Sequence, residues 1–497
     1  MFYRSPNLKY NMNIQFYNSL RRKKELFTSL TPNIVTIYTC GLTPQSNAHL
    51  GHAVAAIRFN GIRNYLTYLG YEVKYVENVT DIDDKLIIKS KEEGRSVKEI
   101  AEDNYNAYRK SLNILGVRPP DFSPKVSQYI DKIIKYIEKL IEKGYAYSTN
   151  SGDVYFDIAK KKDYYKLSGR SPDQNIVGTR INVEQNKHNA DDFALWKSSD
   201  DLDNSWDSPW GKGRPGWHIE CSVMANDILG TSIDIHCGGL DLLFPHHENE
   251  IAQCEAHNGV NFAQFWLHCG LLNINGEKMS KSLNNFVTID EGLERYGVEI
   301  LKWVILKHAY RSTIDLSEKI FLDVINQIVD FYKCFNDDPA VFTTDSLDKV
   351  LKTTKVLKLI SEVNISLSND FNTPEVITLL AEALEEARKL QNNNLVDESV
   401  ALKQVVYFYG KLIGLFNLSS TRVVLEELLK CQQFIFDIPD YYTLSQVERT
   451  ISEIEEARSM QDYSKADHLR NILTVRGLNL IYEKEGYSWK FLTKITY

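Results

Sequence analysis

Apolar positions in the first part of the chain follow two different periods. Ile34 to Cys40 (IVTIYTC) is an unbroken run of β-branched and aromatic residues closed by Gly41, the pattern of a buried strand and turn. After a polar loop, apolar residues from His49 to Leu69 recur at helical spacing and stop at Gly70; Glu72 to Val79 then reads as a second strand. Strand, loop, helix, strand is the opening of a doubly wound parallel sheet, in which ligands sit beyond the carboxyl ends of the strands.

Further along, Val97 to Gly144 is helical in pattern, most clearly in IDKIIKYIEKLIEKG, and the stretch from Tyr145 to Lys197 mixes short strands with Lys-rich and Asp/Asn-rich loops, as an insertion would. A second α/β stretch follows, with ILGTSIDIHCGG and FWLHCGLLNING as its strands. Leu301 to Leu418 is almost wholly helical in period, which predicts a bundle. The last stretch, from Leu444, predicts a helix pair and a hairpin. The expected organisation is an extension over 1–13, two halves of a catalytic domain over 14–125 and 201–275, an insertion over 126–200, a connecting region over 276–325, a helical bundle over 326–425 and a small α+β module over 426–497.

Size agrees with several domains, since 497 residues exceed one ordinary core. No run approaches the roughly 20 apolar residues needed to span a bilayer. The basic N-terminus is interrupted by Asn, Pro and Tyr and lacks the apolar core of a secretory signal. Seven cysteines, odd in number and irregularly spaced, argue against a disulfide framework and for a reducing, cytoplasmic setting. A formal net charge of −8 repels nucleic acid, so any RNA partner must be held by local basic patches.

Three constellations carry chemistry. His49-Leu50-Gly51-His52 opens the first long helix, where two imidazoles and a glycine suit a phosphate lying over a helix N-terminus. Alone, such histidines are more often surface or packing residues. Gly276 to Ser282 (GEKMSKS) carries Lys278 and Lys281 with flanking hydroxyls, able to neutralise charge on a departing pyrophosphate or simply to form a solvated turn. Cys40, Cys221, His246 and Glu250 form a plausible tetrahedral zinc set, with His246 and Glu250 on one face of a helix. Each has a bland alternative, because free Cys is commonly buried as a small hydrophobe.

The first two motifs resemble the HIGH and KMSKS signatures of class I aminoacyl-tRNA synthetases, with Leu50 for the usual Ile. Val79 to Lys85 (VTDIDDK), Asp192 to Lys197 (DFALWK), Ser208 to Cys221 (SPWGKGRPGWHIEC) and Phe244 to Glu250 (FPHHENE) are similar to the cysteinyl-tRNA synthetase family, and the likeness runs from about Ile14 to the C-terminus. The resemblance implies a Rossmann-like catalytic domain with a connective insertion, followed by a helical bundle and an anticodon-binding module. It implies a zinc ion on Cys40, Cys221, His246 and Glu250 that binds the substrate thiolate. Gly41, Thr80, Trp217 and His236 would line the cysteine pocket, and Gly239 and Asp241 would approach the adenosine. His49 and His52 would act at the α-phosphate of ATP, which comes with magnesium, and Lys278 and Lys281 at the pyrophosphate. The implied partners are L-cysteine, ATP and tRNA(Cys), with Arg458 and Trp489 meeting unpaired bases near Ala466, Asp467 and Arg470; a monomer is expected.

Pro44-Gln45-Ser46, Cys237 and Leu240 depart from the family's pattern, the last two beside the expected cysteine and adenosine sites. Three rivals stand beside this reading. A ligase joining cysteine to a small amine would lack the C-terminal module, and a non-catalytic RNA-binding paralogue would have no need of intact His and Lys motifs. A zinc hydrolase could use Glu248 as its base, but no HExxH helix exists.

Overall fold

A computed structural model describes residues 12–171, 187–274, 276–279, 285–435, 440–483 and 486–492. A short hairpin, β1 (Gln15–Asn18) and β2 (Lys23–Leu26), precedes β3 (Ile34–Leu42), α1 (Leu50–Tyr68), β4 (Glu72–Val79), α2 (Asp84–Glu93) and α3 (Val97–Ile114). α4 (Ile130–Glu142) leads to β5 (Ala146–Ser148), β6 (Val154–Phe156), β7 (Phe193–Ser198) and β8 (Gly213–Pro215). The chain then returns through α5 (Trp217–Leu229), β9 (Ile233–Gly239), α6 (Glu248–Asn258) and β10 (Ala263–Cys269).

These elements build a four-stranded parallel sheet in the order β10-β9-β3-β4. Side chains alternate across it. Val35, Ile37, Ile235, Phe265 and Leu267 face the core shared with α1, while Tyr38, Val76 and Trp266 face the core shared with α4, α5 and α6. From β3 the chain winds to β4 on one side and later to β9 on the other, so the strand order reverses between β3 and β9. A crevice opens at such a switch point. The inserted sheet, order β5-β6-β7-β8, is antiparallel and takes its fourth strand from Gly213–Pro215, past the boundary expected at residue 200.

Beyond the sheet come β11 (Leu272–Ile274), β12 (Glu277–Lys278), α7 (Ile289–Leu306), β13 (Ile314–Leu316), α8 (Glu318–Phe335) and the single turn α9 (Pro339–Phe342). The bundle continues with α10 (Thr354–Ser368), α11 (Thr373–Asn392), α12 (Val396–Ile413) and α13 (Thr421–Ile435). Its apolar residues merge with those around α1 into one core, so the expected boundary between catalytic domain and bundle is crossed by continuous packing. Last are the helix pair α14 (Leu444–Ser459) and α15 (Tyr463–Val475) and the hairpin β14 (Leu478–Glu483) and β15 (Gly486–Phe491). Among the described residues no helix is long and apolar enough to cross a membrane.

Candidate functional site

A cleft of about 480 Å³ lies over the carboxyl ends of β3, β4 and β9, within the range usual for small-molecule sites. Cys40, Gly41, His49, His52, Trp217, Gly239 and Asp241 line it, together with Met279 and Phe286 from the far side.

At its base Cys40 lines the cleft, and directly behind it Cys221, His246 and Glu250 converge on it, with one donor atom from each of the four within 4.8 Å of all the others. Local sequence explains each position. A Cβ on Gly41 would lie 1.8 Å from the Asn78 carbonyl oxygen, so only glycine permits the irregularity between Thr39 and Leu42 where Cys40 sits. Gly216 lets the chain turn from β8 into α5 against the Ala194 carbonyl, 2.0 Å from its hypothetical Cβ, and places Cys221 in the second turn of that helix. Glu250 stands in the first turn of α6, with His246 just ahead of the helix start.

The donor set fits a soft divalent metal such as zinc: two sulfurs, an imidazole and a carboxylate, almost wholly out of solvent apart from Cys40. Glu250 Oε1 is 3.2 Å from Cys40 Sγ and 3.1 Å from His246 Nε2, yet that buried nitrogen has no hydrogen-bond partner of proper geometry. An orphaned imidazole nitrogen facing a carboxylate and two thiols is what a metal would satisfy. The other nitrogen of His246 meets His218 Nδ1 at 3.0 Å. Burial, then the neighbouring His246, holds His218 well below the usual imidazole range. A neutral His218 can accept from His246 Nδ1–H, and a metal that displaced the proton from His246 Nε2 would then meet that nitrogen's lone pair, the tautomer that metal binding requires.

Burial opposes charge on this set, and the partners decide where charge settles. Burial, then Cys221, pushes the Cys40 thiol well up. The hydrogen bond with Cys40 brings Cys221 down to about 6. Against its burial, Glu250 is held well below the carboxylate range by His236 and His246. Negative charge thus settles on Cys221 and Glu250, while Cys40 is held as the thiol and His246 is pushed up to about 10, against its burial, by Glu250 and Cys221.

Thr80 and His236 stand one layer behind the cleft wall. Thr80 Oγ1 donates to the buried Glu220 at 3.1 Å. His236 is fully buried, its Nε2 2.9 Å from Glu250 Oε2 and its ring stacked on Trp266 at 4.4 Å. It supports the carboxylate from below because even and odd residues of β9 face opposite cores. For the same reason Cys237 points to the α1 side, away from the cluster, and Leu240 is 45% exposed outside the cleft wall, so neither departure reshapes the base.

The other end of the cleft is built on α1. His49 is the N-cap residue, and its backbone N–H donates to His52 Nδ1 at 3.2 Å, with the two rings 3.8 Å apart. A Cβ on Gly51 would lie 2.8 Å from the His49 ring, so this glycine keeps the helix start open. Burial, then His49, lowers His52 to about 3, leaving it a neutral hydrogen-bonding imidazole. Lys281 and the side chain of Lys278 lie outside the described residues; the backbone of Lys278 pairs with Asn273 in β12.

Sequence patterns missed His218, although its position three residues before Cys221 puts both on one helical face. They also missed Glu77 and Tyr108, which line the cleft and are joined by a 3.1 Å hydrogen bond, and which no local pattern marks. Glu248 accepts from the backbone N–H groups of Leu167 and Ser168, at 3.1 and 2.7 Å, so it is engaged in holding a loop and is no free general base. In the C-terminal module Arg458 lies over the Tyr482 ring at 4.2 Å, with Arg470 over the same ring at 5.2 Å. Trp489 instead packs on Phe491 and the main core.

Comparison with known proteins places the chain in a family. The model of the tRNA synthetases class I (C) catalytic domain matches residues 26–326. The cysteine–tRNA ligases of Pelobacter propionicus and Geobacter sulfurreducens are each 38% identical to the chain over 96% of it and over 99% and 100% of their own lengths. A methionyl-tRNA synthetase of Mycobacterium tuberculosis, solved in complex with methionyl-adenylate, shares the fold at a TM-score of 0.55 and 13% identity, over 83% of this chain and 95% of that one. From the sheet, the cleft and these full-length likenesses, the chain belongs to the cysteine–tRNA ligase family of class I tRNA synthetases.

Proposed function

We propose that this protein activates L-cysteine with ATP, forming cysteinyl-adenylate and pyrophosphate, and transfers the cysteine to the terminal adenosine of tRNA(Cys). The observation that carries the reading is the convergence of Cys40, Cys221, His246 and Glu250 at the base of a cleft whose mouth holds His49 and His52.

Zinc held by the four base residues would bind the substrate sulfur as a thiolate, a ligand that serine's far more basic hydroxyl cannot match. Apolar pockets separate near-isosteres by only about 100-fold, so a metal–sulfur contact supplies discrimination that shape alone does not. Trp217, 43% exposed at the cleft wall and 4.4 Å from the His246 ring, covers the amino acid. Gly41 gives the substrate backbone room, and Thr80 and His236 hold the pocket from behind.

ATP lies across the switch point, its adenosine near Gly239 and Asp241 and its phosphates over the start of α1. The cysteine carboxylate attacks the α-phosphorus in line, and pyrophosphate leaves. His49 and neutral His52 donate hydrogen bonds to oxygens that gain charge, and Lys278 and Lys281, with magnesium brought by ATP, neutralise the leaving group. The C-terminal module takes the anticodon end of tRNA, with the exposed Tyr482 and the Arg458 and Arg470 beside it as the stacking surface in place of Trp489. That module, packed onto the bundle, counts against a small-amine ligase.

Cysteine-dependent ATP–pyrophosphate exchange, run with and without a chelator and followed by charging of unfractionated tRNA, tests the proposal. It requires exchange that chelation abolishes, and charging of one tRNA. Exchange without charging would favour the small-amine ligase, and exchange supported equally by serine would remove the role of the metal.

A further inference from the structure

Helix α7 is two helices in one. Its first half is docked on the cleft: Ile289 N donates to Ala48 O at 2.9 Å, Leu50 N to Val287 O at 3.0 Å, and Ser111 Oγ to Asp290 at 2.5 Å. Just ahead of it, Phe286 meets the His49 ring edge-on at 5.2 Å. Gly297, at φ 70° and ψ 174°, then breaks the helix. Residues 298–306 therefore start again, with N–H groups that have no partner in the preceding turn.

Their cap comes from another helix. Glu427 of α13 accepts from Glu299 N at 3.2 Å, and a Cβ on Gly297 would lie 2.6 Å from the same carboxylate oxygen. Two buried side chains of the second half complete the joint. Glu299 accepts from Asn417 N, from Leu418 N at 3.2 Å and from Tyr332 OH at 3.2 Å. Lys302 Nζ donates to Leu115 O at 2.6 Å and to Asn417 Oδ1 at 3.0 Å. The residue before Glu427 faces the opposite neighbour: Glu426 accepts from Leu444 N, the first residue of α14, at 3.3 Å. Farther along α13, Gln432 donates to Gly477 O at 2.9 Å, at the start of the C-terminal hairpin.

An apolar residue at 427 would suit a core position better than a carboxyl group, since burying a charge is costly. What an acceptor oxygen supplies, and an apolar side chain does not, is a directed hold on the new helix start, which fixes the angle of α7 at its break. We propose that Glu427 is a positioning residue for the phosphate end of the cleft, the joint through which the seat of the C-terminal module on α13 sets where α7 holds Phe286 against His49. The inference rests on the reading of the cleft given above.

The test compares Glu427→Ala and Glu427→Gln in the full-length, metal-loaded protein by cysteine-dependent pyrophosphate exchange. Glu427→Ala is expected to raise the KM for ATP by about tenfold while leaving the KM for cysteine unchanged, and Glu427→Gln, which keeps an acceptor oxygen, to stay within about twofold of the parent. If Glu427→Ala does not fold, Asn417→Ala, which removes an acceptor of Lys302, carries the same expectation at a few-fold size. A fall in melting temperature with ATP and cysteine KM both unchanged, or both raised together, would show a merely structural role and overturn the proposal. Failure of the functional reading would look different, because the parent protein would then show no cysteine-dependent exchange at all.

Discussion

The two ends of the cleft are built on opposite principles. At the base, each donor is fixed by the sheet or by a helix start and most have a second partner: His218 behind His246, His236 behind Glu250, Asn78 Oδ1 3.6 Å from Cys221 Sγ. At the other end, the backbone N–H of His49 donates to His52 Nδ1 at 3.2 Å, whereas the backbone of Lys278 belongs to the two-residue strand β12 paired with β11. Selection of a substrate atom demands a rigid, prepaid geometry, while neutralising a leaving group demands charge brought close as it develops.

Substitutions at the two ends should therefore separate. The largest effect belongs to the base: Cys221→Ser is expected to lose stoichiometric metal and to lower kcat/KM for cysteine by about a thousandfold, the several kcal/mol that metal ligation supplies. Metal analysis beside exchange kinetics reads both. His49→Ala should lower kcat of exchange by about a hundredfold with metal content and cysteine KM intact, as for loss of one transition-state donor. Full metal content with a raised cysteine KM in that variant would blur the division between the two ends.

His218→Ala touches no substrate, and its expected effect is a 10- to 100-fold weaker metal affinity, measured by competition with a chromogenic chelator. Tyr482→Ala should raise the KM for tRNA in charging by about tenfold and leave pyrophosphate exchange untouched, the size expected for one stacked base. The smallest expected effect concerns pH. Because burial and His49 hold His52 to about 3, it is already neutral above pH 5, and protonation of this ring contributes nothing to the acid limb of exchange between pH 5 and 7. His52→Gln should lower the rate without moving that limb; a displaced limb would show that His52 titrates there.

Much of this was legible in the sequence, for identifiable reasons. β3, α1 and β4 follow from unambiguous periods ended by Gly41 and Gly70, and the observed ranges fall within three residues of those read from the pattern. The four base residues were recognisable through the motifs around them, although nothing in their spacing brings Cys40 and Glu250 together; only the closing of β9 beside β3 does that. What the sequence hid is orientation. His236 sits beneath the carboxylate, and Cys237 faces away, because strand parity, and not proximity in the motif, decides which core a side chain enters. The break at Gly297 was invisible for a related reason: the apolar period of α7 continues through it, and only the carboxylate arriving from α13 shows that two helices meet there.

The central claim is that a metal at Cys40, Cys221, His246 and Glu250 binds the sulfur of the substrate. Replacing the metal with cobalt(II) in the full-length protein and recording its visible and near-ultraviolet absorption during titration with L-cysteine and, separately, L-serine tests this most directly. The account predicts that L-cysteine adds a saturable sulfur-to-metal charge-transfer band, absent in Cys221→Ser, and that L-serine adds none. A spectrum unchanged by L-cysteine under conditions where pyrophosphate exchange proceeds would contradict it.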